Sequence, residues 1–113
     1  DKLAHYISYM AAEIGFPIEA KTGVYSSDST PFADSGIPAL SFARIANSNV
    51  APIHCRYDVK AVMSMEQLQG DIDFLVKFTE RFANAAVCPV AREIPEKIKK
   101  ELDEYLARKR KEQ

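Results

Sequence analysis

The spacing of apolar positions changes several times along the chain, and each change predicts an element. Leu3, Tyr6, Ile7, Met10, Ala11 and Ile14 recur at helical spacing, and Gly15 followed by Pro17 stops the helix they predict. His5 falls off that stripe and reads as a solvated helix residue. Over "PIEAKTGVY", Ile18, Ala20, Thr22 and Val24 alternate with Glu19, Lys21 and Gly23. A period of two predicts a half-buried strand near residues 18–25. "SSDSTPFADSG" interrupts it: Ser29 or Thr30 can cap one turn of helix with Pro31 at its first position, and Gly36 can take the left-handed conformation that ends it. "IPALSFARI" then predicts a second, more apolar strand. A strand, short crossover and strand form a unit whose carboxyl ends host sites in open sheets.

Residues 46–62, "ANSNVAPIHCRYDVKAV", have no sustained period and read as a long loop, a length that in compact domains usually accompanies function or disorder. From Ser64 the pattern is helical again. Ser64 and Gln67 make a capping box, Leu68, Ile72, Leu75, Val76, Phe82 and Ala83 form one face, and Glu66, Asp73, Lys77, Glu80, Arg81 and Asn84 form the other. This helix is expected to cover the sheet with its apolar face. "AAVCPVAREIP" is a connector, and Pro95 opens a last helix with Ile98, Leu102, Tyr105 and Leu106 inward, acids early and bases late. The expected class is α/β, about two strands plus three main helices.

Composition removes several function classes. A 113-residue chain that is 47% hydrophobic and 27% charged is one globular unit. A net charge of -1 gives no general attraction to nucleic acid or to acidic membranes, and no apolar run approaches the roughly 20 residues of a bilayer span. The basic end "ARKRKEQ" reads as a solvated, fraying terminus. Two cysteines, Cys55 and Cys88, make neither a disulfide framework nor a zinc knot, so reduced thiols and a cytoplasmic setting are expected. His54 and Cys55 are adjacent, and side chains adjacent in extended backbone point apart, which disfavours a nucleophile–base pair. The opening at Asp1, without a methionine or signal segment, suggests a piece of something longer.

"SSDSTPFADSGIPAL", then "IHCRYD", then a capped amphipathic helix is an ordered set of motifs. In that order it resembles the carboxyl-terminal segment of the di-zinc aminopeptidase family: a serine–aspartate loop, a Gly-Ile-Pro strand start and a histidine-x-x-x-aspartate loop. The resemblance covers residues 1–85 as the carboxyl-terminal portion of a peptidase domain, with 86–113 as connector and terminal helix. It implies a fragment of a mixed-sheet, three-layer zinc-exopeptidase fold. In such folds two zinc ions about 3.5 to 4 Å apart activate a water that hydrolyses the peptide bond.

Residue by residue, the resemblance makes His54 a zinc ligand and Asp58 the support of its loop. It places Ile53, Phe32 and Asp28 near the substrate. Where relatives often have a histidine after the loop aspartate, this chain has Ser29. The other histidine, the carboxylate ligands and the glutamate base match nothing here, so no catalytic residue is assigned in this chain. One imidazole cannot hold a zinc pair. The chain alone is therefore expected to be inactive and without tightly bound zinc, with peptide as the substrate of the parent protein. The alternative is a non-catalytic binding or oligomerisation module. In either case, an unpaired strand edge and an uncovered apolar face predict a homo-oligomer.

Overall fold

A computed structural model describes residues 2–44 and 53–112. Helix α1 spans Lys2–Ile14, α2 Ser29–Asp34, α3 Met65–Ala83 and α4 Glu96–Lys111, with one 3-10 turn at Lys60–Val62. Of the loop expected over 46–62, residues 46–52 lie outside the described residues.

Helices α1 and α2 end in the same way. After α1, Gly15 has φ 70°, its N–H donates to the Ala12 carbonyl at 3.3 Å, and the Phe16 N–H donates to Ala11 at 2.9 Å. After α2, Gly36 has φ 74°, its N–H donates to Ala33 at 2.9 Å, and Ile37 N–H donates to Phe32 at 2.9 Å. These paired bonds are Schellman closures, which satisfy the last free carbonyls and require a left-handed residue where glycine stands. Helix α2 begins earlier than its cap chemistry suggests. Asp28 is its N-cap and makes no side-chain cap bond, while the Thr30 hydroxyl instead donates to the Tyr25 carbonyl at 3.0 Å. Helix α3 starts as expected, the Ser64 hydroxyl accepting from the Gln67 N–H at 3.3 Å.

The core lies between α1 and α3. Ile7, Ala11 and Phe74 are buried together, with Phe16, Ile18, Ala20, Leu40, Leu75 and Phe78 packed around them. Phe16 stacks on Phe74 with centroids 4.3 Å apart, Phe42 meets Phe78 edge-on at 5.9 Å, and Tyr6 meets Phe82 edge-on at 5.6 Å. Such pairs add to the area they bury. Exposed ion pairs tie the periphery: Arg81 to Glu13 at 2.6 Å, Lys2 to Glu93 at 2.9 Å, and Arg44 to Asp71 through two guanidinium nitrogens at 2.8 and 2.5 Å. Helix α4 packs on α2, burying Leu102, and its Tyr105 hydroxyl donates to Ser26 at 2.9 Å.

Two expectations fail. Among the described residues there is no β-strand, so the α/β class and the mixed-sheet fragment give way to an all-helical arrangement joined by irregular segments. The alternation behind the first strand survives in part as burial: Ile18, Ala20 and Val24 are half-buried, while Glu19, Lys21 and Gly23 are exposed. A period of two records which side chains face the core. A strand also needs a second backbone with which to exchange N–H and C=O bonds, and among the described residues neither 18–25 nor 37–44 has one.

The second failure is rotational. The face of α3 that packs is Phe74, Leu75, Phe78 and Phe82, whereas Ile72 and Val76, expected inward, are 45% and 50% exposed. With no sheet among the described residues, α3 turns its aromatic side to α1 and leaves Ile72 and Val76 exposed.

Candidate functional site

The residues singled out from the sequence fall into two places. Asp28 and Phe32 line an open hollow of about 570 Å³ together with Tyr25, Ile37, Leu40 and Phe42. Local chemistry explains its floor. Ser27, Ser29 and Ser41 form a triangle of hydroxyls, with Ser27 Oγ 2.6 Å from Ser29 Oγ and 2.7 Å from Ser41 Oγ, and Ser41 Oγ donating to Ser29 Oγ at 3.0 Å. Ser27 Oγ also accepts the Ser29 N–H at 3.3 Å, so one hydroxyl organises the start of α2. The triangle fastens the 25–30 turn to the 37–44 segment and leaves Phe32, 54% exposed, on the wall.

That hollow can take an apolar side chain against Phe32, Ile37 and Phe42, with the exposed Asp28 carboxylate available to a cation. The three hydroxyls hydrogen bond to one another, and no histidine is among the lining residues. The serine triangle was not foreseen. Its one legible signal is Ser41, the single polar side chain within the apolar run 37–43.

Ile53, His54 and Asp58 occupy a separate exposed turn, and none of them lines the hollow. His54 has φ 58°, left-handed for a residue with a Cβ. The turn is closed twice: the His54 N–H donates to Asp58 Oδ2 at 3.1 Å, and the Asp58 N–H donates to the Cys55 carbonyl at 3.0 Å. The Asp58 carboxylate thus holds the backbone on which the imidazole is displayed. Next to it, the Arg56 guanidinium lies 4.7 Å from the Tyr57 ring centroid. Ile53 is 66% exposed.

The Arg44–Asp71 pair anchors the 37–44 segment to α3. The Arg44 hydrogen bonds hold the Asp71 carboxyl below its usual range, partial desolvation working weakly against them.

A zinc pair needs several convergent ligands. Among the described residues no group of three or more His, Cys, Asp or Glu side chains comes together, so these residues do not by themselves fit the metal pair that the motif resemblance implies. Comparison of the chain with protein-family models, with curated proteins and with solved structures finds no match. No helix among the described residues is long and apolar enough to cross a membrane.

Proposed function

We propose that this chain is the carboxyl-terminal part of a zinc-dependent exopeptidase of the aminopeptidase kind. In that reading His54 serves as one metal ligand, Asp58 holds its turn, and Phe32, Asp28 and Ile53 belong to the substrate side. The remaining ligands and the general base come from other segments of the parent protein. The observation that carries the reading is the order "SSDSTPFADSGIPAL", "IHCRYD", capped helix. The bond from the His54 backbone N–H to the Asp58 carboxylate supports the part given to Asp58, that of holding the turn. No step of the hydrolysis is assigned to the residues of this chain.

Two assays test it. The purified 113-residue chain is expected to release no nitroaniline from an aminoacyl-nitroanilide at any zinc concentration. In the parent protein, His54→Ala is expected to abolish both tight zinc binding and hydrolysis. Zinc-dependent turnover by the chain alone, lost in His54→Ala, sinks the claim that other segments are required. A parent protein whose zinc content and turnover are indifferent to His54→Ala sinks the ligand assignment.

A second reading, a non-catalytic oligomerisation module, is favoured by a different observation: α3 keeps an aliphatic side in solvent. Ile72, Val76 and Met65 all lie there, and none of them requires a metal or a substrate to be explained.

A further inference from the structure

The 37–44 segment joins an unpaired backbone to a shaped wall. It runs without turn or bend, and from 38 to 44 no main-chain N–H or C=O makes a hydrogen bond among the described residues. Such a row of donors and acceptors is a template on which an extended chain can lay its own. The segment is also held in place before anything binds. The Ile37 N–H donates to the Phe32 carbonyl at 2.9 Å, Leu40 packs against Ile7, Ala11 and Phe74, Ser41 bonds to Ser27 and Ser29, and Arg44 pairs with Asp71. A template already fixed at its ends and middle has little freedom left to lose on binding.

The same segment lines the hollow. Ile37, Leu40 and Phe42 share that lining with Tyr25 and Phe32, both exposed and so open to an incoming apolar side chain. Asp28 is the one charged residue among those that line it. Its carboxylate makes no cap bond to α2 and no ion pair among the described residues. The hollow therefore offers apolar surface, one uncompensated negative charge and, along its wall, main-chain groups without partners. A small hydrophobic amine engages only the first two. An extended peptide with a basic side chain engages all three.

We infer that the hollow and the 38–44 backbone form a docking site for an internal, extended peptide segment that carries an apolar residue and, two positions away, a lysine or arginine. Side chains two apart in an extended chain lie on one side, so the apolar one can enter against Phe32, Ile37 and Phe42 while the base reaches Asp28. Main-chain bonds to 38–44 supply affinity whatever the sequence, and the two side chains supply selection. The segment recognised needs no free terminus, which takes the inference beyond the exopeptidase reading. It involves neither His54 nor a metal, and it stands or falls independently of the zinc assay on the parent protein.

Nitrogen-15 amide spectra of the full chain at about 0.1 mM, titrated with the doubly capped peptide acetyl-Thr-Val-Thr-Leu-Thr-Lys-Thr-amide to about 2 mM, test it, the range being set by an expected Kd on the order of 0.1 to 1 mM. The expected result is saturable movement of the signals of residues 25–29 and 38–44. Two further peptides, N-methylated at one or the other alternate set of residues, keep the side chains but lose main-chain donors, and at least one of them should bind about tenfold or more weakly. Asp28→Asn should weaken the lysine peptide about two- to fivefold and leave a glutamine-for-lysine peptide unaffected, as expected for an exposed charge pair. Absence of saturable movement at 25–29 and 38–44, or equal affinity for all the N-methylated forms, overturns the docking site. Equal sensitivity of the lysine and glutamine peptides to Asp28→Asn overturns the part given to Asp28. Binding seen only when the amino terminus of the peptide is left uncapped overturns the internal segment in favour of a pocket for a terminal residue.

Discussion

His54 adopts a conformation that costs a residue with a Cβ about 1 to 2 kcal/mol, and the turn around it is closed by the Asp58 carboxylate and by the bond from the Asp58 N–H to the Cys55 carbonyl. Asparagine visits this region readily and a β-branched residue does not. His54→Asn should therefore leave the urea midpoint unchanged or slightly raised, and His54→Val should cost about 1 kcal/mol more than His54→Asn. Equal midpoints for the two variants would show that the turn relaxes out of the left-handed region. The test separates the backbone's contribution from the ring's, which the zinc assay on the parent protein reads instead.

Asp71 offers a pH-dependent counterpart. Its carboxyl is held below the ordinary range by Arg44, so the folded chain binds its proton less tightly than the unfolded chain. The resulting stability is fully present above the unfolded value of about 3.9 and is lost as pH falls through the lower folded value. Urea midpoints of wild type and Asp71→Asn should differ at pH 6 and converge as the pH approaches 2. A constant difference over that range would mean that the pair contributes through packing and not through charge. The pair is partly solvent-exposed, which keeps the effect small.

At the scale of elements, the local signals were those that the structure follows most closely. Gly15 and Gly36 end α1 and α2 with φ of 70° and 74°, and Ser64 opens α3 with the hydroxyl bond its position predicts. Ser64→Ala should cost about 1 kcal/mol in thermal or urea unfolding. Gly36→Ala should cost a similar 1 to 2 kcal/mol from backbone strain alone, since nothing lies within 4 Å of where its Cβ would sit. A cost near zero at Gly36 would mean that the α2 closure opens freely. The signals that misled were non-local. Ile18, Ala20 and Val24 alternate in burial with no segment among the described residues to pair with. On α3, the sequence shows a wide apolar arc but not which half meets α1. Phe74 and Phe78 reach Phe16, Phe42 and Tyr6, and a cluster of rings outweighs the aliphatic side by the area each ring buries.

For the whole molecule, the oligomerisation reading has one thermodynamic consequence. If folding and association are linked through α3, stability depends on concentration. The melting temperature of the wild type should rise by about 3 °C or more per tenfold increase in chain concentration, and that of Ile72→Asp should not move. A wild-type melting temperature independent of chain concentration would contradict that reading.

The candidate site divides along the same line. Asp28 and Phe32 sit in one sequence motif and line one hollow. That Ser27, Ser29 and Ser41 would knot its floor depends on bringing residue 41 back to residue 27, a contact no local pattern records. That His54 and Asp58 would stand on a different turn is likewise a matter of chain path. What the sequence determined by itself were the helices α1, α3 and α4, their stops and caps, and the sides of each segment that prefer the core, because these follow from bonds and spacings within a few residues. Only the tertiary structure decided that no described segment pairs as a strand, which half of α3 is buried and which residues share a hollow. Those outcomes depend on a partner surface from elsewhere in the chain, and neither period nor propensity carries that information.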